Sequence, residues 1–373
     1  MLDEKLLKNE ERAVYSLRSL YSRFGYSCFK MSKFEEYELY VRNKDFLISD
    51  GIITFTDTNG KLMALKPDVT LSIIKNSADR EGEVQKLYYD ENVYRISGGS
   101  GSFKEITQTG LECFGDISMY DVCEVLTLAV KSLEMIDTDY IIDISHAGFV
   151  SALLDSLGLK DSARKKVSTA VRKKSRDEID RLVAEGEITE NAAEVAKKLI
   201  ASYKDRETLN GAFSENGDPT VTAALKEFTD IYNALSSLGL AERLNIDFSI
   251  VNDTSYYSGV VFKGYIKGIP SEVLSGGRYD KLMRQMGRSS GAVGFAVYLD
   301  VLERHKLERC DYDYDVILIN DGSADTSDVI KEVERLSKNG DSVAVFKKKP
   351  QNARSREMLR LIGGRLEKCY GNN

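Results

Sequence analysis

Two long runs rich in aromatic and β-branched residues, KLYYDENVYRIS (Lys86 to Ser97) and KEITQTGLECFGD (Lys104 to Asp116), flank the segment Gly98-Gly99-Ser100-Gly101-Ser102. Each run is long enough to be a central antiparallel strand, and side chains of this kind suit a pleated, half-buried surface. The glycine-serine link sits between two strands rather than ahead of a helix, so it reads as a mobile hairpin tip and not as a phosphate cradle. A chain carrying such a hairpin must build a sheet around it.

The surrounding segments supply that sheet and its cover. Ala13, Leu17, Leu20 and Phe24 recur at helical steps and Gly25 follows as a C-terminal cap. Ile52 to Phe55, the turn Thr58-Asn59-Gly60 and KLMALKP predict a second hairpin. After Pro67, DVTLSIIKNSAD predicts a helix capped by Asp68. Asp121 to Ile136 is an amphipathic helix, and YIIDISHAGF a strand with a turn. From about 151 to 244 the chain turns to Ala, Leu, Lys, Glu and Asp at helical spacing (Leu182, Ala193, Val195, Leu199, then Leu235 and Leu238), a helical insertion. Strand character returns in NIDFSIVNDTSYYSGVVFKGYIKG. It is followed by the turn SGGRYD, a helix DKLMRQM, a strand GAVGFAVYL and a helix to about His305. Residues 306–373 read as strand, helix, strand, helix, ending with ARSREMLRLIGG as the second helix. The expectation is an α+β chain: a six- or seven-stranded antiparallel sheet carrying residues 45–115 and 245–300, flanked by helices. A domain spanning 1–305 would hold the helical insertion, and 306–373 would form a small C-terminal α/β domain.

Composition narrows the function classes. With 373 residues, two or three domains are expected. Lys plus Arg number 52 against 59 Asp plus Glu, a net charge of −7, which argues against a strongly basic, non-specific nucleic-acid binder. MLDEKLLKNEER has no apolar signal-type core and no run of about 18 apolar residues occurs, so no membrane span and a cytoplasmic location are expected. The five cysteines (Cys28, Cys113, Cys123, Cys310, Cys369) form no CxxC, and His146 and His305 are the only histidines; no metal site is expected. No Walker A, GxGxxG, HExxH or GxSxG element occurs.

Three segments carry a resemblance: LKPDVT (Leu65 to Thr70); VYRIS through QTGLECFGD; and SYYSGVVF (Ser255 to Phe262) through SGGRYDKLMRQMG to VGFAVYLDVL. In order and spacing they resemble the histidyl-tRNA synthetase catalytic domain, a class II aminoacyl-tRNA synthetase fold with an antiparallel sheet flanked by helices. The resemblance implies three cationic clamps for ATP chemistry. One is kept as Arg95, with Ser97 in place of its companion acid. The arginine of R-G-L-D-Y-Y is here Asn252, and that of G-L-E-R is Val301. Losing one preorganised donor to developing charge typically costs about 3–4 kcal/mol, so two such losses imply negligible adenylation. Lys66, Arg278 and Arg284 are the nearby candidates for replacement cations. The proline of the dimer-forming motif 1 is Ser32.

The amino-acid end of the pocket is retained. The resemblance assigns Asp68, Thr70, Arg95, Gln108, Glu112, Tyr256 and Tyr257 to a histidine-like pocket, in which carboxylates accept N–H groups and tyrosines pack the ring. It implies that the buried carboxylates bind a cationic ligand or find compensating donors such as Arg95. The N-D-x-S-Y-Y-S-G-V-x-F-like stretch and SHAGF around His146 resemble the regulatory subunits of ATP phosphoribosyltransferase, synthetase paralogues that have lost aminoacylation. That family implies a non-catalytic chain without a cofactor. Its partner is the short-form catalytic subunit in the first step of histidine biosynthesis, with free histidine as effector and a homodimeric core through the N-terminal region. The short, charge-mixed C-terminal unit argues against tRNA binding. The alternative is a divergent histidine–tRNA ligase, or a synthetase-like enzyme for another amino acid.

Overall fold

In the computed structural model, which describes residues 7–44, 47, 51–78, 82–96, 101–203, 213, 217–251, 256–302, 312–362 and 365–369, helix α1 (Asn9–Arg23) buries Ala13, Leu17, Leu20 and Tyr21. Gly25, at φ 83°, reverses the chain out of it. Strands β1 (Ser27–Cys28) and β2 (Phe34–Glu36) lead to α2 (Tyr37–Arg42), β3 (Thr54–Thr56) and β4 (Leu62–Leu65). The β3–β4 reversal is braced by Asp57, whose carboxylate accepts the N–H groups of Asn59 and Lys61 at 2.8 Å each. Asp68 accepts the Leu71 N–H at 2.9 Å and so caps α3 (Thr70–Asn76).

The predicted hairpin is β5 (Val84–Ile96) and β6 (Phe103–Gly115), paired without a break from Val84 opposite Gly115 to Ile96 opposite Phe103. Most of its tip, residues 97–100, lies outside the described residues. Next come α4 (Met119–Ile136), β7 (Tyr140–His146) and the insertion helices α5 (Ala147–Ser156), α6 (Asp161–Arg172), α7 (Arg176–Ala184), α8 (Glu190–Ala201) and α9 (Pro219–Ser237). Then follow β8 (Leu244–Ile246), β9 (Val260–Ile266), β10 (Leu274–Arg278), α10 (Asp280–Gln285) and β11 (Gly291–Tyr298). The central sheet runs β1-β5-β6-β11-β10-β9-β7-β8, and β2-β4-β3 form a separate three-stranded sheet. One face of the central sheet packs Leu111, Val293, Phe295, Phe262, Ile142 and Ile144 into one apolar core with α1, α4 and the insertion helices.

The chain divides into two units, Met1–His305 and Lys306–Asn373. The second holds β12 (Tyr314–Ile319), α11 (Thr326–Lys338), β13 (Val343–Phe346), β14 (Ser355–Ile362) and β15 (Arg365–Lys368), in sheet order β13-β12-β14-β15.

Five expectations need correction. The central sheet has eight strands, because β1 and β8 add parallel edges of two and three residues. Residues before β5 largely form the separate small sheet, and β7, between the predicted ranges, joins the central one. SHAGF is not a turn: His146 ends β7 and its Nδ1 accepts the Phe149 N–H at 3.0 Å, capping α5. The segment after Tyr298 is a single 3-10 turn at Asp300–Leu302, and residues 303–305 lie outside the described part. In the C-terminal unit the last predicted helix is a strand pair. Leu359 and Leu361 are buried while Arg360 and Ile362 are exposed, a period of two imposed by parallel pairing of β14 with β12. Apolar residues at 358, 359, 361 and 362 satisfy a helical stripe as well.

Candidate functional site

The face of the central sheet opposite the apolar core alternates into a different chemistry. In register across β6, β11, β10 and β9, the inward residues are Gln108 opposite Tyr298, Gly110 opposite Ala296, then Ser275 and Lys263; the next row is Glu112, Gly294, Gly277 and Val261. Small residues at the sheet centre leave a cavity of about 450 Å³, within the usual range for small-molecule sites. Two glycines are required by what stands over them. A Cβ on Gly294 would lie 1.8 Å from Glu112 Oε2, and one on Gly277 would lie 2.7 Å from the Tyr257 ring.

All seven sequence-assigned residues line this one cavity. Glu112, 2% exposed, accepts the Thr70 hydroxyl at 2.6 Å on Oε1 and the Tyr279 hydroxyl on Oε2. Burial pushes its carboxyl up to about 8; the Thr70 and Tyr279 hydrogen bonds work against that shift, and nearby Asp68 adds to it. Asp68 is also raised, again chiefly by burial, opposed first by the Leu71 N–H and then by the charge of Arg95. The compensating donors are therefore Thr70, Tyr279 and a helix N-terminus. Arg95 compensates Asp68 by its charge and not by a hydrogen bond: its Nε donates to the Pro67 carbonyl at 3.1 Å. Tyr256 and Tyr257 meet edge to face with ring centroids 4.7 Å apart, and Tyr256 lies 5.9 Å from Tyr279.

Sequence reasoning missed five contributors. Tyr279 stands inside the quoted GGRYD motif, which was its available signal. Tyr298 and Ser275 share a 2.8 Å hydrogen bond between their hydroxyls at the cavity wall. Lys263 meets Glu272 at 2.7 Å, and both line the cavity; no motif marks that pair.

The replacement cations do not reach the site. Lys66 has a fully buried side chain bonded to Glu91 at 2.9 Å, Arg278 is bound by Glu227 at 3.2 Å and Asp280 at 2.9 Å, and Arg284 is exposed. Val301 packs against the apolar core, while Ser97 and Asn252 lie outside the described residues. Among the described lining residues, three carboxylates (Asp68, Glu112, Glu272) face two cations (Arg95, Lys263). Such a cavity offers acceptors to a ligand that brings N–H donors or positive charge. Among the described residues no group of three or more His, Cys, Asp or Glu stands together as a metal site, and no helix is long and apolar enough to cross a membrane.

Comparisons with known proteins identify the family and the fold. Residues 2–302 match the sequence profile of the histidyl-tRNA synthetase family. The ATP phosphoribosyltransferase regulatory subunit of Caldanaerobacter subterraneus subsp. tengcongensis is 30% identical over 288 residues, covering 76% of this chain and 75% of that one. The structure of an ATP phosphoribosyltransferase regulatory subunit/histidyl-tRNA synthetase from Bacillus halodurans C shares the fold with a TM-score of 0.72, at 24% identity over 97% of both chains. A chain of the ATP phosphoribosyl transferase (HisG:HisZ) complex from Thermotoga maritima does so at 0.62, with 21% identity over 80% of this chain and 97% of that one. A class II synthetase fold and this kinship together place the chain in the histidyl-tRNA synthetase family, and within it among the regulatory subunits of ATP phosphoribosyltransferase.

Proposed function

We propose that this chain is a non-catalytic regulatory subunit that assembles with a short-form ATP phosphoribosyltransferase catalytic subunit, and that free histidine binds its cavity as the feedback effector. The observation that carries the reading is the pair of buried carboxyl acceptors, Asp68 and Glu112, in one cavity. Three carboxylates face two cations, and Lys263 is already paired with Glu272. An α-ammonium or imidazole N–H finds acceptors at Asp68 and Glu112, and Arg95 is available to a carboxylate. A triphosphate finds no such set, which supports loss of adenylation and argues against the ligase alternative. The Thermotoga maritima relative belongs to a complex with its transferase partner, and the same assembly is proposed here.

Two further features support the reading. In the C-terminal unit Arg354, Arg356 and Lys368 are matched by Asp313, Asp315, Asp341 and Glu357, so these cations form no bare stripe for tRNA phosphates. In the N-terminal region Phe34 and Phe55, 49% and 37% exposed, meet edge to face at 5.2 Å on the small sheet, an apolar face suited to a symmetric dimer. Ser32, in place of the motif 1 proline, braces this strand by accepting the Phe34 N–H at 3.1 Å.

The deciding experiment mixes the purified chain with a short-form catalytic subunit and follows phosphoribosyl-ATP formation with and without histidine. Activity that depends on this chain and falls with histidine is expected; a rate indifferent to the chain defeats the proposal. In a parallel thermal-shift titration histidine should stabilise by about 2.7 kcal/mol at a hundred times its Kd, ATP should not, and Glu112→Ala should abolish the shift. A histidine shift that survives in Glu112→Ala moves the site to the subunit interface.

A further inference from the structure

Glu227 lies on α9, in the helical insertion, and none of the family motifs includes it. Its carboxylate is nevertheless bound from two sides by groups of the sheet domain. Oε1 accepts from Arg278 Nη1 at 3.2 Å. Oε2 lies 3.5 Å from Nε2 of His146, whose ring is 2% exposed. Because His146 Nδ1 accepts the Phe149 N–H, the ring proton must sit on Nε2. That buried Nε2 makes no hydrogen bond among the described residues and lies 3.5 Å from the Glu227 carboxylate. These two cationic or donor neighbours, His146 first, hold the Glu227 carboxyl below its ordinary value.

Arg278 does not end the chain of contacts. Its Nε donates to Asp280 Oδ2 at 2.9 Å, and Asp280 Oδ1 accepts the Ala292 N–H of β11 at 3.0 Å. The stem of Arg278 lies so close over Gly259 that a Cβ there would stand 2.9 Å from it. Between Arg278 and Asp280 is Tyr279, whose hydroxyl donates to Glu112 in the cavity. The insertion thus grips Arg278 directly and Asp280 through it, the two residues that flank the tyrosine bonded to the buried carboxylate.

We propose that Glu227 is a positioning residue of the cavity, contributed by the insertion: it fixes the Arg278–Tyr279–Asp280 segment and through Tyr279 sets the acceptor geometry of Glu112 for a ligand ammonium or imidazole N–H. The inference rests on the reading of this cavity as an amino-acid site. The route is a contiguous set of contacts, and a perturbation of the insertion is felt at Glu112 without touching the cavity lining.

The test uses the full chain labelled with carboxyl-carbon-13 glutamate, with the Glu112 resonance assigned by its loss in Glu112→Gln. The charged and titratable groups around Glu112 are Asp68 just before α3, Tyr89 and Arg95 on β5, Tyr256, Tyr257 and Tyr279, with Lys263, Glu272 and Tyr298 farther along the wall. All of them are unchanged in Glu227→Gln. In Tyr279→Phe, loss of a hydrogen bond to the ionised form should raise the Glu112 midpoint by about one pH unit or more. Glu227→Gln should raise it in the same direction and weaken histidine binding, read by calorimetry, roughly fivefold or more. Lys226→Ala, which removes an exposed pair with Asp230 on the same helix, should leave both readouts alone. If Glu227→Gln fails to fold, Arg278→Lys, which keeps the charge but loses the guanidinium fork, should give the same shift. A Glu112 midpoint and a histidine Kd both unmoved in a folded Glu227→Gln or Arg278→Lys protein would overturn the inference. Should the parent bind no histidine while the midpoint still moves in Glu227→Gln, the positioning role stands and the amino-acid reading falls.

Discussion

The two faces of the central sheet are made by the same strands and have opposite economies. On β6, Leu111 points into the apolar core and Glu112, its neighbour, into the cavity; on β11, Phe295 and Gly294 divide in the same way. The core face is filled with large branched and aromatic side chains packed under α1, α4 and the insertion helices, and its stability comes from area removed from water. The cavity face is built from Gly, Ala and Ser with a few buried polar groups, each needing a partner. A period-two strand therefore stabilises the fold on one side while it keeps a ligand-sized space open on the other, and the two roles can be separated by single substitutions.

The largest contrast should appear in pH. The Glu112 carboxyl sits near its ordinary value of 4.5 when unfolded and near 8 when folded. The folded state therefore holds the proton that the unfolded state gives up, and this contribution is full below about pH 4.5. It is lost progressively as pH rises to about 8, by on the order of 4 kcal/mol. Glu112→Gln should flatten that part of the stability profile in urea unfolding at stepped pH; a profile identical to the parent's would show that Glu112 titrates normally. On the opposite face, Leu111→Ala should cost about 3 kcal/mol at every pH, through the buried cavity it leaves, and should leave the pH profile unchanged. A pH-dependent loss in that variant would break the separation of the faces.

Gly294→Ala sharpens the comparison by placing a methyl where Glu112 Oε2 now lies. Overpacking of this kind costs about 1–3 kcal/mol, and the displaced carboxylate should abolish histidine stabilisation in the thermal-shift assay. Retention of that shift would mean that Glu112 is not where the ligand binds.

How much of this was legible beforehand depends on the range of the interaction concerned. The long hairpin, the capped helix after Asp68 and the helical insertion follow from local periodicity, turn residues and caps, all properties of neighbouring residues. The pocket set from Asp68 to Tyr257 was legible through resemblance, since its members are separated by up to the whole insertion and no spacing rule connects them. Tyr279 was visible as a motif letter, but its bond to Glu112 spans 167 residues of sequence.

The amino-acid sequence by itself determined the alternation along β5 and β6, the balance of charge, and the residue types that can accept a proton or a cation. Only the tertiary structure decided how those were used. Pairing with β12 made a strand of β14 where helical spacing served equally well. Arg278 went to Glu227 and Lys66 to Glu91 instead of to the cavity. Burial, acting on Glu112 after Thr70 and Tyr279 were brought to it from distant segments, set a carboxyl near 8. The physical reason is that dielectric environment and hydrogen-bond partners are properties of packed space, which local sequence constrains and long-range contacts complete.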